Sequence, residues 1–403
     1  MNKLNGTTRT LRVITVALIG LTSLAVLGGC TAGGVKVASS TAIVTPAAPA
    51  APAAPVTPVA PVTPITPPTF ESDLTGVALN TVTNRFYVAD AAGNGGPGTG
   101  EVLVFDAVTN QLLDTIAVGA FPTGIAVNAV TNTVYVASIN SQSLSVIDGA
   151  TNAVTATLTS VGTNPVAVAV NPVTNKVYVA DDGGGEDSSG APVQNLTVLD
   201  GATNMVTSQL AIGGLSAISL AVNSKTNTVY VANVVGLAVV DGSKDTLIAT
   251  LGSTSLQATD PNFYGAYGVA VDESTNTVYV ANESTTNGLT VINGATNTVT
   301  ESIPLYVLNA SGVPVQSPAR TLAVNPVSHM VYITMETEDM TQGKYVFSVF
   351  NGATSTVLGT VGLDSRAMGI AVSATTGIVY AVESQEVGVI NVTTNGTTRI
   401  SVP

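Results

Sequence analysis

The stretch NPVTNKVYVAD, residues 171–181, joins a polar five-residue string to an alternating apolar run and stops on an acid. Runs rich in Val, Thr and Tyr read as strands, and a polar string ahead of one reads as the turn of a hairpin. Nearly the same sentence occurs seven times. NTVTNRFYVAD starts at Asn80, NAVTNTVYVAS at Asn128, NSKTNTVYVAN at Asn223, DESTNTVYVAN at Asp272, NPVSHMVYITM at Asn325 and the worn SATTGIVYAVE at Ser373. The central tyrosines are Tyr87, Tyr135, Tyr178, Tyr230, Tyr279, Tyr332 and Tyr380, separated by 48, 43, 52, 49, 53 and 48 residues.

Each unit holds four short β-rich runs, which in the third are VAVAV, KVYVAD, LTVLD and VTSQLAI. Both faces of these runs are apolar, which suits sheets covered on both sides. Four strands per unit, repeated seven times at this period, predict an all-β fold over residues 70–403, a seven-bladed β-propeller of four-stranded antiparallel blades. A β-solenoid needs shorter coils, and a string of sandwiches tolerates less regular units. Stacked blades also account for a positive mean hydropathy in a chain with only 9% charged residues.

The turns agree. The last polar position of the first turn is Asn84, Asn132, Asn175, Asn227, Asn276, His329 or Gly377, a set dominated by residues that accept positive φ at small cost. The second turn is DGATN at Asp148 and Asp200 and NGATN at Asn293, with variants DAVTN, DGSKD, NGATS and NVTTN. Here the Asx side chain is expected to cap its own turn and the Gly to supply φ > 0. The chain's single histidine, His329, fills a turn slot and reads as structural. Blade 1 is expected to begin with its own inner strand after Phe70, and blade 7 to end with its own outer strand at residues 397–403, so that the ring closes by packing.

The N-terminal region has another character. Lys3, Arg9 and Arg12 precede an uncharged apolar run at residues 13–27, followed by LGGC at 27–30. This is the layout of a signal peptide over residues 1–29. The small residues before Cys30 resemble the lipobox of bacterial lipoproteins, which implies lipidation of Cys30. The alternative, a membrane-spanning anchor, needs roughly 20 apolar residues. Thr31 stands where an inner-membrane retention signal places Asp, so the resemblance implies the outer membrane, facing the periplasm or the cell surface. Residues 30–69 form a linker in which prolines recur every two to four positions from residue 44, removing donors and fixing φ, and this predicts an extended stalk rather than a recognition motif.

Residues 74–403 resemble the YVTN-repeat β-propellers on the strings YVAN, YVAD and VTNKVYVA. That family includes bacterial surface-layer and periplasmic proteins, so the resemblance implies fold and export and says little of activity.

Function is expected on one face. The A–B and C–D turns barely change length, whereas insertions fall in the B–C and D–A connections at residues 90–101, 181–194, 251–268, 304–320 and 335–345. In an up-and-down blade these connections share a face, and confined insertions mark the binding face of a repeat protein. Sixteen of the chain's 25 acids fall on or beside it, opposed there by Arg320, Lys344 and Arg366. Such a surface disfavours nucleic acid and suits cations or basic partners. The sharper form is calcium at Asp181, Asp182, Glu186 and Asp187 on DDGGGEDSSG, though the spacing does not match an EF-hand. GNGGPGTG, residues 93–100, lacks the Lys-Ser/Thr and helix of a phosphate loop.

The expected role is a non-enzymatic binder of a protein, glycan or cation, with the membrane reached only through the lipid. Lactonase-like propellers are the nearest enzymatic relatives by resemblance, and a hydrolase would work at the axial channel mouth, where Arg320 and Arg366 are the candidates. An enzyme should converge polar side chains on that mouth. A binder should show a broad acidic surface.

Overall fold

The computed structural model describes residues 14–15, 73–91, 99–182, 185–186, 192–193, 195–213, 216–234, 236–252, 260, 262–284, 286–308, 313–336, 345–363, 365–391 and 396–401. Residues 1–29, expected from the sequence to be a signal peptide, lie outside them apart from residues 14–15, as do residues 30–69 with Cys30.

Seven antiparallel sheets follow one another along the chain, each with its strands in sequence order from the axis outward, A to D. The A strands are Leu74–Asn80, Pro122–Asn128, Pro165–Asn171, Ala217–Asn223, Ala266–Asp272, Ala319–Asn325 and Ala367–Val372. The B strands, which carry the tyrosines, are Arg85–Asp90, Thr133–Ser138, Lys176–Asp181, Thr228–Asn233, Thr277–Asn282, Met330–Glu336 and Ile378–Glu383. Each A strand packs on the next, and Ala367–Val372 packs back on Leu74–Asn80, so the sheets form a closed seven-bladed β-propeller.

Closure is by packing, as expected. Gly396–Ser401 is blade 7's own outer strand, and the two-residue strand Ile14–Thr15 adds to its free edge, with Ile14 opposite Thr397. At the seam Phe86 stacks on Phe105 at 4.7 Å and on Tyr380 of blade 7 at 4.5 Å, and the Tyr380 hydroxyl donates to the Ala107 carbonyl of blade 1 at 3.1 Å.

Neighbouring blades cover both sides of each B strand, so five consecutive residues of KVYVAD are buried where a half-exposed strand would alternate. All seven tyrosines are at most 2% exposed, each stabilising the fold by about 1.5–3 kcal/mol through apolar burial. Burial also pushes the seven phenols' pKa values up, which keeps them protonated.

The constant face is an interlocked ring of turns. The seven predicted first-turn residues, from Asn84 to Gly377, all adopt positive φ, between 52° and 70°. In blades 1 to 4 an Asn side chain from the end of the A strand caps its own turn and donates to the turn Asn of the next blade. Asn80 reaches Asn132 at 2.8 Å, and Asn128, Asn171 and Asn223 reach Asn175, Asn227 and Asn276 at 2.7 Å. Between blades 5 and 6 both partners change: Asp272 replaces the donor and His329 the acceptor, and His329 Nδ1 donates to Asp272 Oδ2 at 2.7 Å. Reversing both polarities preserves the bond, which explains the histidine.

The second turn differs from expectation. The Asx residue caps as predicted, with Asp200 Oδ1 accepting from Ala202 and Thr203. Positive φ, however, belongs to the last position, at Asn110, Asn152, Asn204, Asp245, Asn297 and Ser355, and the turn glycine is absent from that set. Its role is space. A Cβ on Gly149 would meet Asn132 Oδ1 at 2.5 Å, and one on Gly352 would meet the Tyr279 hydroxyl of the preceding blade at 2.3 Å.

Candidate functional site

The opposite face gathers the B–C and D–A connections, and there the A strands open onto an axial cavity of about 320 Å³ lined by residues of all seven blades. Its walls stand close because inner strands pack backbone to backbone: a Cβ on Gly124 would lie 2.8 Å from Ala167 Cα, and one on Gly268 would lie 2.8 Å from the Arg320 carbonyl oxygen.

Each A strand begins with a β-bulge against its B strand. In blade 1, Leu74 pairs with Asp90 and Gly76 with Ala89, which leaves Thr75 unpaired. The equivalent residues are Thr123, Val166, Ile218, Tyr267, Arg320 with Thr321, and Met368. A bulge re-aims the extra side chain, and these residues all line the cavity.

An ionic row runs round one side of the mouth. Arg320 Nη2 lies 3.0 Å from Glu283 Oε1 and 3.0 Å from Glu336 Oε2, and Arg366 Nε lies 3.1 Å from Glu336 Oε1. Arg320 also sits over Tyr267, its guanidinium carbon 4.6 Å from the ring centroid. Burial works against the Arg320 charge, but Glu336 and Glu283 more than offset it and raise its pKa above the ordinary value. Both arginines expected at the mouth therefore line the cavity, and the row brings them together.

The acid that ends YVAD has a local purpose. Asp181 is 3% exposed, and its carboxylate accepts from the Thr163 and Asn164 amides at 2.5 and 2.8 Å. Asp90 accepts from the Asp73 amide and Glu383 from that of Ser365. In blades 1, 3 and 7 the last residue of strand B thus pins the incoming D–A connection, and these acids face inward. Of the other calcium candidates, Asp182 is half-buried, Glu186 falls in a two-residue ladder with Pro192–Val193, and Asp187 lies outside the described residues. Among the described residues no group of three or more His, Cys, Asp or Glu side chains is placed to share a metal ion.

Tyr267, the pairing of Glu283 with Arg320, and the bulge residues other than Arg320 were missed from the sequence. The available signal was variation: aligned on the repeats, the position after the first residue of strand A ranges over Thr, Val, Ile, Tyr, Arg and Met, while its neighbours stay small or apolar. No family model matches the chain, and no curated protein matches it.

Proposed function

We propose that the protein is a non-enzymatic binding propeller, exported and lipid-anchored at Cys30, that presents its long-connection face to a protein, glycan or cation at the cell envelope, with the outer membrane favoured. One observation carries this reading. The strand order of the seven sheets puts every connection longer than a tight turn on one face, while the other is tied into a ring by its own turns. Asp73, Glu101, Asp182, Asp260 and Glu386 are exposed or half-buried on the long-connection face, so it keeps acidic character after the inward acids are set aside. The lipobox-like LGGC and the likeness to YVTN-repeat propellers support export.

A purified variant with residues 183–194 and 337–344 cut to Gly-Ser turns tests this, in sedimentation with envelope preparations with and without millimolar calcium or magnesium. Loss of retention at an unchanged melting temperature supports the loop face as the binding surface. Retention equal to the parent's refutes it.

The row at the channel mouth favours a second reading, a lactonase-like hydrolase. A hydrolase needs a carboxylate with a lone pair open to substrate or water, whereas both Glu336 oxygens face guanidiniums. Turnover of a lactone panel, lost on replacing Glu283, would establish it against the binding reading.

A further inference from the structure

We propose that the mouth of the axial channel binds a small organic carboxylate, anchored by Arg366 and Arg320 and walled on the opposite side by the bulged residues of blades 2 to 4. In a chain of net charge −13, the described residues lining this cavity include two arginines and no acid. Glu283 and Glu336 hold the guanidiniums from behind, outside the lining. Arg366, at the end of the row, is the more open of the two, its side chain 43% exposed against 16% for Arg320.

The chemistry narrows the ligand. Guanidinium forks match a carboxylate, and fixing them in advance lowers the entropy lost on binding. The row itself is neutral, two arginines against two glutamates, so the ligand is held by directed N–H donors rather than by net charge, and a dianion is repelled by the glutamates more than a monoanion is. In a seven-membered ring blade 3 faces the junction of blades 6 and 7, so Val166, flanked by Thr123 and Ile218, opposes the arginines. That half offers an uncharged wall to the ligand's body. The volume lies near the lower end of the range for small-molecule sites, about 300–1,000 Å³. The bulge position also varies most among the repeats while its framework does not, as recognition residues on a constant scaffold should. This inference does not rest on the loop-face reading and stands or falls separately.

Calorimetric titration of the full protein with benzoate and hexanoate tests it, with benzamide as the uncharged isostere and inorganic phosphate as the bare anion. Saturable binding of a carboxylate is expected, with benzamide at least about tenfold weaker. Arg366→Gln, at a half-exposed site, should weaken carboxylate binding about tenfold. Glu336→Gln should tighten it severalfold, because it frees the Arg366 guanidinium and leaves Arg320 with Glu283 alone, and misfolding does not mimic a gain. The proposal is overturned if neither carboxylate saturates by about 10 mM, if phosphate binds more tightly, or if Arg366→Gln binds as the parent does.

Discussion

Replacing His329 and Asp272 together by asparagine converts the charged rung between blades 5 and 6 into the neutral rung of its neighbours. Asp272 is 1% exposed, accepts from the Ser274 amide and hydroxyl at 2.9 and 2.6 Å, and takes His329 Nδ1 on its other oxygen at 2.7 Å. A hydrogen bond to a charged group contributes about 1.5–3 kcal/mol and a neutral one about 0.5–1.5, so the double variant should lose about 1 kcal/mol near neutral pH. His329→Ala alone should lose about 3 kcal/mol, because it strands half of a buried carboxylate. With about 2.1 cal/mol/K of unfolding entropy per residue over roughly 330 residues, 1 kcal/mol corresponds to about 1.4 °C in Tm.

The pH dependence has a definite sign. Burial, the largest single influence, pushes the Asp272 pKa up, but hydrogen bonds from Ser274 and His329 together outweigh it and hold the carboxyl below its ordinary 3.8. A carboxyl lowered in the fold stabilises fully above its unfolded value and loses that contribution as pH falls through the folded value. The gap between parent and double variant should therefore narrow below pH 3.8. Urea unfolding of the parent, both single variants and the double, at pH 7 and pH 3, closes the cycle. A coupling energy under about 0.5 kcal/mol at pH 7, or a gap unchanged at pH 3, would refute the rung.

Gly352→Ala should cost about 2–3 kcal/mol in urea unfolding, because its Cβ would meet the Tyr279 hydroxyl and the His329 carbonyl at 2.3 and 2.9 Å where the turn packs against the preceding blade. Gly362→Ala, where an added Cβ would have nothing within 4 Å, should change stability by under about 0.5 kcal/mol. Asp181→Asn should destabilise by about 1–3 kcal/mol through its two loop amides, whereas Asp182→Asn should stay within about 0.5. If instead Asp182→Asn alone abolishes a calcium-dependent rise in melting temperature, the acidic connection is a cation site.

The fold was legible because the chain states it seven times. One copy of KVYVAD fits any buried strand, but seven tyrosines at a near-constant spacing leave few architectures that bury both faces of every sheet. The first turns were readable residue by residue, since Asn, His and Gly are the types that accept the positive φ found there. The second-turn glycines were misread because a glycine has two uses. It permits positive φ, and it leaves room for a neighbour. The neighbours of Gly149 and Gly352 are Asn132 across the hairpin and Tyr279 from another blade, and only folding brings them there.

The site was less legible for a related reason. A charge count treats every acid near a connection as surface, yet Asp90, Asp181 and Glu383 spend their oxygens on backbone amides, so the face is less acidic than its composition. Arg320 and Arg366 were placeable because they stand at the start of inner strands, and the position of a strand's end follows from the repeat. What they touch was not, since Glu283 and Glu336 come from the ends of B strands in two blades. Strict alternation along an A strand also predicts the wrong side chains for the cavity, because one extra residue per strand flips the register at its mouth. The repeat carries its own correction: where seven copies stay small or apolar on both sides of a position and range from threonine to tyrosine and arginine at it, packing is not choosing that residue. In this chain that position is the bulge, and its side chains from all seven blades line one axial cavity.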